Sequence, residues 1–317
     1  MTTTPARTPQ ATTTRPIAAT RVIALMNQKG GVGKTTTTVN LAASWAKAGR
    51  ETLVIDLDPQ AHATLHLGVD PKSVERSIYD LLIGDEPDIT SIATSTRPHL
   101  SVLPAHTDLA AAESELARLP DRQKRLDAAI TRAAGRYEFI LIDCPPSLGL
   151  LTINALAAAR EVIIPMQAHF LALQGVGKLL ETVNLVSRAV NPRLRVTGVV
   201  LTAHDISSTH TREVVADLES FFEEARQQES PWRFARVLRP AIRRNIKLAE
   251  CPSFGQTIFE YAPQASGAED YGALGASLLK EWDAMLAKAK KSEAATSPAE
   301  VHVVARQPAT PATEATA

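Results

Sequence analysis

The residues Asn27-Gln28-Lys29-Gly30-Gly31-Val32-Gly33-Lys34-Thr35-Thr36 stand between a short apolar run, residues 21–26 (RVIALM), and a segment that reads as a helix. Glycine has no Cβ and tolerates positive φ, so a loop this rich in glycine can turn successive backbone N–H groups inward around an anion. A helix beginning near Lys34 aims the positive end of its dipole at the same point. Lys34 is then placed to reach the β and γ phosphates of a nucleotide, and the Thr35 hydroxyl to bind Mg²⁺. Lys29, Gly30, Gly31, Val32, Gly33 and Thr36 complete the candidate nucleotide-binding set. The pattern G-x-x-x-x-G-K-[ST] is not fully met, because Gln28 occupies its first glycine position and a second lysine, Lys29, opens KGGVGKTT. A dinucleotide fingerprint fails too, since Thr36 stands where its third small residue belongs.

Outward from this loop, residues 52–55, 139–142 (FILI), 162–164 and 196–201 (VTGVVL) are further short apolar runs, suited to strands buried on both faces of a parallel sheet. Segments of helical period lie between and after them. Val176, Leu179, Leu180, Val183 and Val186 share one face, as do Val214, Val215, Leu218, Phe221, Phe222 and Ala225. Leu274, Leu278, Leu279, Trp282, Met285 and Leu286 repeat the pattern in a last helix expected over 274–291. Gly49 and Gly135 sit where helices should stop before strands. The expectation is an α/β fold, a single doubly wound and mostly parallel sheet flanked by helices, with ligands at the carboxyl ends of the strands.

The chain has 317 residues and equal totals of Lys+Arg and Asp+Glu, 34 each. A protein that coats a polyanion by bulk charge is therefore excluded, although a local basic patch is not. Two cysteines, Cys144 and Cys251, cannot build a disulfide framework or a four-ligand zinc site within one chain. No apolar run approaches the roughly 20 residues of a membrane span, and the chain reads as soluble and intracellular. Residues 1–20 and 291–317 are Thr-, Pro- and Ala-rich and are expected to be a disordered arm and tail around one domain over 21–290.

Two acidic sites fall where a phosphate loop needs them. The second apolar run ends in Ile55-Asp56-Leu57-Asp58-Pro59-Gln60, and the third in Ile142-Asp143-Cys144-Pro145-Pro146. An acid at a strand's carboxyl end can simply cap the next helix, but here both lie on the sheet edge that carries the loop. The loop resembles the deviant Walker A box of the ParA/MinD ATPases. The residues around Asp58 resemble that family's switch I, and those ending in Asp143 its Walker B box. Ser147-Leu148-Gly149-Leu150-Leu151-Thr152-Ile153-Asn154, Val162-Ile163-Ile164-Pro165-Met166-Gln167 and Ala249-Glu250-Cys251-Pro252-Ser253-Phe254-Gly255 look like the ParA/Soj branch, so the resemblance spans about 21–285.

The resemblance implies an ATPase using ATP and Mg²⁺, with Lys29, Lys34 and Asp58 catalytic. It implies Mg²⁺ held through Thr35, Asp58 and Asp143, with Asp56 supporting that region. By the same likeness, Lys29 crosses to the nucleotide of a second subunit in an ATP-dependent homodimer. Hydrolysis would be slow and stimulated by a ParB-type centromere-binding partner. The dimer would bind DNA non-specifically in a cytoplasmic, nucleoid-associated system that moves chromosome or plasmid DNA without a membrane.

Between Arg226 and Lys247 stand seven basic residues, Arg226, Arg233, Arg236, Arg239, Arg243, Arg244 and Lys247, with Glu229 the sole acid. Such a run is either a solvated charged face or a phosphate-binding surface. The resemblance favours DNA contact at Arg244, with Lys247 on the same side, while Arg243 stands where the family usually has proline and adds charge beside Arg244. His204-Asp205-Ile206-Ser207-Ser208 departs from the family's Arg-Thr after Tyr-Asp, so Arg212 is expected to substitute for a lost arginine. Other readings remain: a MinD-like ATPase cycling on a membrane through an amphipathic C-terminal helix, or one that positions protein clusters on the nucleoid. A nitrogenase-type reductase would bridge one 4Fe–4S cluster between the cysteines of two subunits. A non-enzymatic scaffold would need a broken phosphate site, and Lys34, Thr35, Asp58 and Asp143 are all present.

Overall fold

The computed structural model describes residues 19–84, 88–169, 172–205 and 207–296. Its strands are β1 (Arg21–Leu25), β2 (Thr52–Asp56), β3 (Thr94–Arg97), β4 (Leu100–Leu103), β5 (Phe139–Asp143), β6 (Glu161–Met166), β7 (Arg195–Leu201) and β8 (Arg236–Leu238). They form one sheet in the order β3-β4-β2-β5-β1-β6-β7-β8, in which the β3–β4 pair alone is antiparallel. The helices are α1 (Lys34–Lys47), α2 (His62–His66), α3 (Ile78–Ile83), α4 (Ile89–Ile92), α5 (Leu109–Leu116) and α6 (Arg125–Arg132). After β5 come α7 (Leu150–Ala158), α8 (Ala172–Ala189), α9 (Thr209–Ala225), α10 (Lys247–Glu250), α11 (Ile258–Tyr261) and α12 (Ser266–Thr296).

Every residue of β1, β2 and β5 is buried, as strands covered by helices on both faces require. Helix α1 is buried on nearly all sides, so Val39, Leu41, Ala42, Trp45 and Ala46 pack inward while its amphipathic signal stays weak. Trp45 lies 4.4 Å from Phe139 between ring centroids, and its indole N–H donates to Gly275 O at 3.0 Å. Gly49, with φ +76°, ends α1 in the left-handed region, and Gly135 at φ +83° does the same before β5. The apolar faces of α8 and α9 are buried at Val176, Leu179, Leu180, Val183, Val214, Leu218 and Phe222.

The chain runs outward from β1 to β2 and β4, returns to insert β5 between β2 and β1, then runs the other way through β6 to β8. This reversal opens a crevice at the carboxyl ends of the central strands. Leu25 of β1 and Asp56 of β2 are each paired in register with Asp143 of β5. The phosphate loop and both acidic sites therefore leave the sheet at one level.

Five of the strands follow the apolar runs; β3, β4 and β8 were not expected. β3 (TSTR) is a polar edge strand, β4 (LSVL) is interrupted by Ser101, and β8 has three residues. The last helix starts earlier and runs further than 274–291, continuing through Thr296 into the expected tail. Residues 19–277 form one compact unit and 278–296 a second, small one. In the latter, Met285 of the expected apolar stripe is exposed and Leu286 half-buried. The arm up to residue 18 and the tail from 297 lie outside the described residues. Among the described residues no helix is long and apolar enough to cross a membrane.

Candidate nucleotide-binding site

Gly31 and Gly33 adopt φ +71° and +82°, so two of the loop's three glycines use the left-handed region. Gly33 is also the N-cap of α1, and it has no side chain with which to cap the helix. No acid stands in the first turn. The leading amides of a 14-residue helix are thus left for an anion, which is the donor set a phosphate group fits.

Neighbouring strands hold the loop in place. Asn27 donates from Nδ2 to Pro165 O at 2.9 Å, and its Oδ1 accepts from the Lys29 amide at 3.0 Å. Gln167 Nε2 donates to Gly31 O at 3.1 Å, and Thr202 Oγ1 to Val32 O at 2.7 Å. Lys34 is buried, with Nζ folded back to Lys29 O at 3.3 Å.

Asp143 is fully buried at the end of β5. Its carboxylate accepts from Thr35 Oγ1 at 2.7 Å and from Thr38 Oγ1 at 3.1 Å. Thr38 was not among the expected site residues. Its place three residues after Thr35 puts both hydroxyls on one helix face, a signal present in the sequence. Burial, chiefly, and the neighbouring Asp56 carboxylate push the Asp143 pKa upward, while the Thr35 hydrogen bond and the Lys34 charge oppose them. A buried acid crowded by a second acid is a donor that a divalent cation stabilises, so the residues present fit Mg²⁺.

Asp58 sits just beyond β2, half-buried, with Oδ1 accepting from the Gln60 amide at 3.0 Å. Asp56, expected to support the Mg²⁺ region, also holds the segment that follows it. Its Oδ2 accepts from the Thr64 amide and hydroxyl at 2.8 and 2.7 Å, and its Oδ1 from the Asp58 amide at 3.2 Å. Asp56 therefore ties residues 58–64 to the strand, and so sets where Asp58 stands.

A groove of about 330 Å³ borders Gly31, Gly33 and Thr36, with Ile242, Arg244 and Asn245 on its other wall. The basic stretch does not form one patch. β8 begins at the amino edge of the sheet, so Arg226, Arg233 and Arg236 lie there, whereas Arg243, Arg244 and Lys247 lie at the carboxyl edge. Acids from the same chain take up much of this charge. Arg226 pairs with Glu223, Arg239 with Glu219 and Lys247 with Glu250. Arg243 is clamped between Glu269 at 2.6 Å and the buried Asp270 at 2.7 Å. Arg244 is exposed, and among the described residues no carboxylate lies within ion-pair distance of it. Arg212, in the first turn of α9, is exposed and donates to Thr209 Oγ1 at 3.0 Å.

Both cysteines are buried, and Cys251 Sγ lies 3.4 Å from His66 Nε2. Burial raises both thiol pKa values, that of Cys251 to about 11, so each is a neutral packed thiol.

A family model described as an AAA domain matches residues 20–196. The chain is 42% identical to the chromosome partitioning protein ParA of Myxococcus xanthus over 260 residues, which is 82% of this chain and 88% of that one. It is 43% identical to the sporulation initiation inhibitor protein Soj of Bacillus subtilis over 251 residues, 79% of this chain and 95% of that one. A solved structure named cobyrinic acid a,c-diamide synthase, from Mycobacterium smegmatis with bound ADP and magnesium, superposes with a TM-score of 0.70 at 36% identity. That match covers 84% of this chain and 96% of the other. A neighbouring structure of the same protein holds an ATP analogue and magnesium, in keeping with ATP and Mg²⁺ as the ligands of this loop. With this fold, this phosphate loop and these relatives, the chain belongs to the ParA/Soj family of chromosome-partitioning ATPases.

Proposed function

We propose that this chain is an ATP-driven dimer that binds DNA without sequence preference. A ParB-type centromere-binding partner would trigger it to partition chromosome or plasmid DNA on the nucleoid. The observation that carries the reading is the meeting of an uncapped α1 N-terminus, Lys34 and the Thr35–Asp143 pair at the ends of neighbouring strands.

Hydrolysis of ATP is an in-line attack of water on the γ-phosphate, to which the protein contributes positioning and charge rather than a covalent bond. Lys34 and the amides of residues 30–36 hold the phosphates. Thr35, Asp58 and Asp143 are the groups that would hold Mg²⁺, which supplies charge neutralisation on the phosphate oxygens. Asp58, fixed by Asp56, orients the attacking water. Lys29 of a second subunit adds positive charge at the transferring group, as an arginine finger does, an effect of roughly 10³–10⁵ in rate. Gly30 beside it leaves room for the partner, because a Cβ there meets nothing of its own subunit within 4 Å.

For DNA the direct phosphate contacts are Arg244 and Arg212, both exposed and without an ion-pair partner among the described residues. Arg243 and Lys247, drawn into ion pairs, contribute through the surrounding field. Dimerisation doubles the contacts, and each one costs about 0.9 in log K per decade of salt. Light scattering and retention on random-sequence DNA, with ATP, a non-hydrolysable analogue or ADP, test the reading. A dimer and DNA retention are expected with ATP and the analogue only; equal retention with ADP contradicts it.

A further inference from the structure

Lys29 is engaged within its own subunit. Its Nζ lies 2.7 Å from Nε2 of His169, on the loop that follows β6. Two residues earlier on that loop, Gln167 grips the phosphate loop through Gly31 O. An ammonium has donors only, so the contact needs the Nε2 lone pair of a neutral imidazole carrying its proton on Nδ1. Burial and the Lys29 charge both lower the His169 pKa, against the opposing hydrogen bond of its own backbone, and favour that neutral form. Lys29 is the charged group acting on the ring among the described residues.

We propose that His169 is a positioning residue that parks Lys29 within its own subunit and yields it when a partner's nucleotide is presented. The inference rests on the reading that Lys29 acts across the subunit junction. The chemistry suits a releasable hold. A neutral imidazole is a weaker acceptor for an ammonium than an anionic phosphate oxygen, so a triphosphate presented by the partner outcompetes it. A carboxylate in the same place would hold the lysine harder. Substitutions at His169 should therefore move the threshold for dimerisation in opposite directions according to their charge, which a packing role would not do.

The test uses the full chain. Sedimentation velocity against a non-hydrolysable ATP analogue gives the half-saturation for dimer formation. His169→Ala should lower it roughly two- to tenfold, the range of one partly exposed charge-assisted hydrogen bond, and His169→Glu should raise it. The shift should fall on half-saturation, with turnover at saturating ATP little changed in His169→Ala. In the nucleotide-free protein, NMR of labelled histidine should show His169 titrating at higher pH in Lys29→Ala than in the wild type. Shifts of the same sign for Ala and Glu, no shift in either, or an unmoved His169 titration would each overturn the parking role. Wild-type hydrolysis by Lys29→Ala would instead defeat the trans-acting lysine, leaving the NMR comparison to report on the bond itself.

Discussion

Thr35 and Asp143, 108 residues apart in the chain, are joined by a 2.7 Å hydrogen bond between hydroxyl and carboxylate. The bond ties the first turn of α1 to the end of β5 and so orients the threonine that closes the phosphate loop. Thr38 shares the same carboxylate one turn on. Asp143→Asn should keep an acceptor for these hydroxyls and relieve repulsion with Asp56, leaving the thermal midpoint no lower than wild type. Phosphate release should nevertheless fall on the order of 10²-fold or more, and the Mg²⁺ concentration needed should rise. A variant with wild-type Mg²⁺ dependence would remove Asp143 from the metal site.

Gly30 and Gly33 separate two effects of a side chain in the loop. A Cβ at Gly30 meets nothing within 4 Å, whereas Gly33 has φ +82° and a Cβ there would lie 3.4 Å from Thr202 Cγ2. Gly30→Val should retain its unfolding midpoint and nucleotide binding but lose the ATP-dependent dimer. Gly33→Val should lose about 1–2 kcal/mol of stability from backbone strain. Light scattering and thermal denaturation of the two variants check this.

Arg243 and its neighbour Arg244 should respond differently to truncation. Arg243→Ala leaves the buried Asp270 without its guanidinium partner and should lower the denaturation midpoint. Arg244→Ala should leave the midpoint unchanged and shrink the salt slope of DNA binding by about 1. Because Arg244 also lines the groove beside the phosphate loop, the DNA titration belongs at saturating nucleotide, with nucleotide affinity measured alongside.

His66 gives the fold an acid-sensitive point. Burial, reinforced by the Arg97 charge, lowers its pKa from 6.5 to about 4. Between those values the unfolded chain binds the proton and the folded chain does not, so stability is intact above about 6.5 and declines as pH falls toward 4. The loss is roughly 3 kcal/mol at most. Urea unfolding across that range should show the decline in the wild type and a flatter profile in His66→Gln.

The central architecture was legible because its strands are buried on both faces and therefore read as apolar runs. β3, at the rim, needs no apolar face, and β8 is too short for a period to register. In the site, Lys34 and Thr35 announce themselves by the glycine-rich loop that precedes them, Asp58 and Asp143 by standing at or just beyond the ends of apolar runs, and Thr38 could have been found by its spacing from Thr35. His169 could not, because its contact with Lys29 depends on β6 lying beside β1. The division of the arginine stretch was not legible for a related reason. Its continuity in sequence hides the crossing of the sheet along β8, and the acids that neutralise Arg239 and Arg243 come from α9 and α12.

The most direct test of a lysine shared between subunits is complementation of hydrolysis. Lys29→Ala lacks the lysine it lends, and Asp58→Ala lacks the residue that orients water in its own site. Each should be nearly inactive alone. In an equal mixture, half the dimers pair the two variants, and each of these contains one complete site, so activity should recover to about a quarter of wild type. A mixture no more active than the average of its components, or a Lys29→Ala protein that hydrolyses ATP at the wild-type rate, would contradict the account.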